Sequence, residues 1–126
     1  MRKLLIVMFV LGILLSGCSS AKKLTVEDHG SRVRLGVGDT LEITLESKPS
    51  TGYSWTIFEI DQAIIKPAGD VEYTEKGLVI PGSCCDATFN FEAVGRGETG
   101  LVLGYHREWE EDIAPIETFV VTVIVE

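Results

Sequence analysis

From Thr40 onward the chain alternates. Leu41, Ile43 and Leu45 fall on one parity and Thr40, Glu42, Thr44 and Glu46 on the other, and a period of two places the apolar set on one face of a strand. The pattern returns at Phe89, Phe91 and Ala93, at Leu101, Leu103 and Tyr105, and at Phe119, Val121, Val123 and Val125. Between these runs stand Gly36-Val37-Gly38-Asp39, Gly69-Asp70, Gly95-Arg96-Gly97 and Ala114-Pro115, residue types that turn a chain. Beyond residue 23 no stretch of helical period has useful length, and a single turn around residues 61–65 is the most that is expected. Several half-buried strands with short connections predict an all-β chain folded as an immunoglobulin-like β-sandwich, with its binding loops at one end. The Cys-Trp-Cys arrangement of true immunoglobulin domains is absent, and a small open barrel is the alternative architecture.

The first residues obey a different rule. Arg2 and Lys3 precede an apolar run over residues 4–15, shorter than the roughly 20 residues that span a bilayer and of the length found in secretory signals. The run closes on Leu15-Ser16-Gly17-Cys18, which resembles a lipobox, the pattern whose cysteine is acylated after cleavage. The expected division is therefore a signal peptide over 1–17, a lipidated Cys18 with a tether over 18–23, and one domain over 24–126. The domain then works outside the cytoplasm, anchored by lipid to the cell membrane or outer membrane. A short buried element followed by an ordinary cysteine is the other reading of this segment.

Composition sharpens the class. With 11 Lys and Arg against 19 Asp and Glu the formal charge is −8, and loss of Arg2 and Lys3 moves the mature chain to near −10. No basic stripe is present, and an acidic surface repels a phosphate backbone, so nucleic acid is excluded as a partner. At 126 residues the chain holds one domain with a real core, and a monomer is expected. Chemistry that would make it an enzyme is missing. His29 and His106 lie in no nucleophile or zinc motif, and a Cys84–His106 pair has neither an orienting partner nor an oxyanion hole by spacing. The acids from Glu108 to Asp112 lack the alternation and glycine of a calcium loop. No metal or cofactor is expected.

Three loops stand out. In Lys48-Pro49-Ser50-Thr51-Gly52-Tyr53, proline stiffens the chain, glycine permits a positive φ, and the residues between are slim. A thin, pre-stiffened loop loses little entropy on entering a slot; an ordinary hairpin turn feeding Tyr53 and Trp55 into the core is the plainer reading. The second loop breaks at Pro81, Gly82 and Ser83 before Cys84 and Cys85. With Cys18 acylated these two cysteines are left side by side. Their Cα atoms, about 3.8 Å apart, fall below the usual disulfide span, so a strained vicinal disulfide and two free thiols on opposite faces both stay open. The third loop, His106-Arg107-Glu108-Trp109-Glu110-Glu111-Asp112, sets a Trp and an Arg among acids, residue types enriched in binding hot spots. Trp109 folded back over the sandwich is the bland alternative.

Together these loops resemble the chagasin family, protein inhibitors of papain-like cysteine peptidases. That family carries Asn-Pro-Thr-Thr-Gly-Tyr, then a Gly-rich loop, then Arg-Pro-Trp. Pro49, Thr51, Gly52 and Tyr53 match the first motif, with Lys48 and Ser50 in place of Asn and Thr; Arg107 and Trp109 match the third, with Glu108 in place of Pro. In the second loop Gly82 fits, while Cys84 and Cys85 stand where glycines are common. The resemblance implies a reversible, competitive, non-covalent inhibitor whose three loops form a wedge. Ser50, Thr51 and Gly52 would enter the catalytic slot of the peptidase. The segment from Gly82 through Ser83, Cys84 and Cys85 to Asp86 would run along its unprimed side, and Arg107 with Trp109 would pack on the primed side. The rival is a surface lipoprotein whose immunoglobulin-like module binds carbohydrate or protein, with Tyr53 and Trp109 as an aromatic platform.

Overall fold

The computed structural model describes residues 20–48, 51–80 and 83–126, with the side chains of 75–80, 83 and 84 outside the description. Among these residues nine strands form two facing sheets. The first sheet runs β1 (Ala21–Leu24), β3 (Thr40–Ser47), β7 (Ser83–Ala93), β5 (Ile65–Pro67), with β6 (Glu72–Ile80) also paired to β7. The second runs β2 (Arg32–Leu35), β9 (Glu117–Val125), β8 (Gly97–His106), β4 (Ser54–Glu59). The immunoglobulin-like sandwich is what the alternation predicts, and the two ladders stay separate, which removes the open barrel. The signal segment, Cys18, Pro49, Ser50 and Gly82 lie outside the described residues.

Alternation decides which side chains meet. Leu41, Ile43 and Leu45 of β3 face inward beside Phe89 and Phe91 of β7, and Leu101, Leu103, Phe119, Val121 and Val123 approach from the second sheet, all buried. Each such side chain contributes about 1.5–3 kcal/mol by leaving water, so these four strands carry the fold. The connection at residues 61–65 is the expected single turn, closed by the Ile64 and Ile65 amides donating to the Asp61 carbonyl at 3.0 Å. The edge strands are less regular. β1 runs parallel to β3, a single 3-10 turn at Val26–Asp28 crosses to the second sheet, and β2 runs on parallel to β9. The Asp28 carboxylate holds that crossover by accepting from the Thr25 amide at 2.9 Å.

The strands define two poles. At one, the 36–39 turn meets Ala93, the start of β8 and the end of β9: the Gly38 amide donates to the Ala93 carbonyl at 2.8 Å, and Gly97 pairs with Val125. At the other, β3 ends at Ser47 beside Cys85, β6 and β7 pair at Ile80 and Ser83, and β4 and β8 pair at Ser54 and His106. All three loops singled out in the sequence therefore leave the sandwich at the same pole.

Candidate functional site

The first loop begins with a locked turn. The Thr51 amide and hydroxyl both donate to the Lys48 carbonyl, at 3.1 and 2.6 Å, and the Tyr53 amide donates to the Thr51 hydroxyl at 3.3 Å. Thr51 thus consumes its own polar groups in shaping the bend. Gly52 follows with φ +83°, a left-handed conformation that a side chain strains. A second reason excludes a side chain there. A Cβ on Gly52 would stand 2.4 Å from Cη2 of Trp109, so the indole of the third loop lies directly on the first.

Arg107 completes the joint. Its Nε donates to the Thr51 carbonyl at 3.1 Å, and its guanidinium lies 4.4 Å from the centre of the Tyr53 ring and 5.9 Å from that of Trp109. A guanidinium over an aromatic face is attracted by the ring quadrupole, by about 0.5–1 kcal/mol at an exposed site. Glu110 orients the same guanidinium from the other side at 3.4 Å, and the Glu110 amide donates to the Arg107 carbonyl at 3.1 Å, closing the turn that aims Trp109. Trp109 remains 69% exposed, so it neither caps the sandwich nor enters the core.

Beneath the loops, the floor is aromatic. Tyr105 of β8 stacks on Tyr53 at 5.5 Å and leans on Trp55 at 5.0 Å. Its hydroxyl accepts from the Lys48 amide at 2.9 Å, and Trp55 Nε1 donates to the Glu46 carbonyl at 2.9 Å. Both hydrogen bonds cross from one sheet to the other, so the root of the first loop is fixed by the strand that leads into the third. Beside this floor opens a cleft of about 600 Å³, lined by Leu45, Tyr53, Trp55, Tyr105, Arg107 and Ile116 among others.

The structure thus brings together Thr51, Gly52, Tyr53, Arg107 and Trp109. Tyr53 is a support rather than a tip, half-buried between Tyr105 and Arg107. Cys85 sits one strand away, opposite Ser47, and is 5% exposed on the inward face. It is disulfide-bonded, so the free Cys85 thiol left open by the sequence is not what the structure holds. Ser83 and Cys84 begin β7 at the same pole. Two contributors escaped the sequence reading: Tyr105, taken there only as an inward residue of its strand, and Glu110, taken as part of a solvated acidic rim. Among the described residues no group of three His, Cys, Asp or Glu side chains is placed to hold a metal ion.

An immunoglobulin-like sandwich with three loops at one pole, two of them locked by an arginine and a tryptophan, has the architecture of a loop-presenting binding protein. The chain belongs to the chagasin family: the model of the chagasin family peptidase inhibitors I42 matches residues 34–123. Over 105 residues it is 30% identical to Amoebiasin-2 of Entamoeba histolytica, covering 79% of this chain and 80% of that one. The crystal structure of the cysteine protease inhibitor EhICP2 from Entamoeba histolytica superposes with a TM-score of 0.73 at 21% identity, over 86% of this chain and 97% of that one. The solution structure of Amebosin does so with a TM-score of 0.66 at 28% identity, over 87% of this chain and all 100% of that one.

Proposed function

We propose that this protein is a reversible, competitive, non-covalent inhibitor of papain-like cysteine peptidases, acting through a wedge whose leading edge is Thr51-Gly52 braced by Trp109. Family membership supports peptidase inhibition as the activity. The observation that carries the mode is the contact of the Trp109 indole with Gly52, which joins the first and third loops before any partner arrives. Loops already in their bound shape lose little freedom on binding, and a wedge of this kind needs an interface of roughly 1,600 Å² with a few aromatic and arginine anchors. Pro49, Ser50, Gly82, Ser83 and Cys84 belong to the same proposed contact surface. The buried Cys85 acts by holding its strand.

At the leading edge the Thr51 hydroxyl is engaged in donating to the Lys48 carbonyl at 2.6 Å. The first loop presents a backbone whose Thr51 carbonyl is already bound by Arg107, which favours fit over bond formation. The platform reading for a sugar has less support, because the Tyr53 face is occupied by the Arg107 guanidinium at 4.4 Å. In the cell the domain is carried as a monomeric lipoprotein, anchored through Cys18 outside the cytoplasm. The test is titration of papain with the chain over residues 20–126, which keeps β1 and Ser20. Competitive inhibition at nanomolar concentration is the expected result; no inhibition at micromolar concentration removes the proposal.

A further inference from the structure

The pole opposite the loops has its own construction. Asp39 accepts from the Ser20 amide at 2.8 Å, from the Ser20 hydroxyl at 3.0 Å and from the Gly36 amide at 2.8 Å, while the Thr40 amide donates to the Ser20 carbonyl at 3.0 Å. The donor from the Ser20 amide, followed by that from Gly36, holds the Asp39 carboxyl below its ordinary value, with a smaller contribution from the Lys22 charge. Ser20 is thereby stapled to the sandwich at this pole. One residue, Ser19, stands between it and Cys18, and two steps of the chain reach at most about 7 Å. An acyl group on Cys18 is confined to the neighbourhood of the 36–39 turn. At the tip of that turn Val37 is 53% exposed, and Lys22 and Arg96 are exposed on the same pole. From Gly97 at this end to His106 at the other, β8 takes nine steps of about 3.3 Å, or about 30 Å.

We propose that this pole, formed by Ser20, the 36–39 turn and the 94–96 turn, is the surface that rests on a phospholipid bilayer, so that the anchored protein presents its loop pole outward. The inference rests on acylation of Cys18 and not on inhibition. The short tether supplies one attachment point, and Val37 supplies a second at the boundary between headgroups and acyl chains, where an exposed aliphatic side chain leaves water. Lys22 and Arg96 lie where lipid phosphates are. Two points hold the long axis of the sandwich upright, with the Thr51-Gly52 edge about 30 Å from the surface. A peptidase arriving from the aqueous side meets the wedge; one bound flat on the same membrane does not.

The test uses the full chain purified from membranes and reconstituted into phosphatidylethanolamine and phosphatidylglycerol vesicles whose acyl chains carry bromine, a contact quencher of indole fluorescence. In the unaltered protein the exposed Trp109 is expected to keep its emission. Val37→Trp in a Trp109→Phe background is expected to lose emission, with buried Trp55 as a constant background. Quenching of Trp109 in the unaltered protein, or an unquenched Val37→Trp on vesicles that carry the acylated chain, overturns the orientation. An N-terminal peptide whose mass lacks the acyl group, together with failure to float with vesicles, overturns the anchor and the orientation with it. Since the readout is fluorescence, absence of peptidase inhibition would leave its outcome interpretable.

Discussion

Gly38 and Gly52 lie at opposite poles with nearly the same backbone, φ +94° and +83°. A Cβ on Gly38 would meet nothing within 4 Å, whereas one on Gly52 would strike the Trp109 indole at 2.4 Å. The 36–39 turn is a local device, closed by its own carboxylate and backbone. The first loop is half of a joint, and its shape belongs equally to the loop 55 residues further along that supplies Arg107 and Trp109. A conformational need for glycine is common to both turns; a spatial need arises only where a second loop leans in. That difference separates a turn whose shape is its own from one whose shape depends on a second loop.

The comparison breaks most sharply at Gly52. Gly52→Val is expected to combine strained φ with expulsion of the indole and to weaken inhibition of papain on the order of a hundredfold, about 3 kcal/mol, read as the inhibition constant. Trp109→Ala removes the brace and an exposed anchor together and is expected to cost about 2 kcal/mol, roughly thirtyfold, in the same assay. Arg107→Lys keeps the charge but loses the planar group that reaches both the Thr51 carbonyl and the Tyr53 face; a loss of about tenfold is expected, with chemical-shift changes at Thr51 as the structural check. Gly38→Ala should lower unfolding free energy by about 1 kcal/mol through φ alone, with papain inhibition unchanged.

The smallest effect belongs to Asp39. Its carboxyl is depressed in the folded state, so its contribution is present above the ordinary carboxylate range and is lost as pH falls through its folded value. Acidification is expected to release the Ser20 amide, measured as a loss of protection from hydrogen exchange at Ser20 and Gly36 relative to the intrinsic rate at each pH, while Thr51 and Trp109 keep their neutral-pH environment. Asp39→Asn should produce the same exchange pattern at neutral pH.

Strict alternation made β3, β7, β8 and β9 legible, because each has one buried and one more exposed face. The edge strands were not legible for physical reasons. β1 reads Ala-Lys-Lys-Leu and buries only Leu24; β4 shifts register between Ile57 and Glu59 and leaves Phe58 exposed. In the loops, residue types pointed to Thr51, Gly52, Arg107 and Trp109, since stiffness, slimness and aromatic charge pairs are properties of side chains. Which loop leans on which is a property of the sheets. Tyr105 illustrates the gap: its inward parity was visible, but the hydroxyl that fixes Lys48 from the opposite sheet depends on how the two layers face each other.

The central claim is that the first and third loops act as one edge, and a double-mutant cycle read on papain inhibition tests it most directly. Gly52→Ala, Trp109→Ala and the double variant would be compared with the unaltered domain. With the indole gone, the methyl group at position 52 has nothing to strike, so the double variant is expected to lose distinctly less than the two single losses combined, by about 1 kcal/mol or more. Strictly additive losses would mean that the loops meet the peptidase independently and would contradict the account.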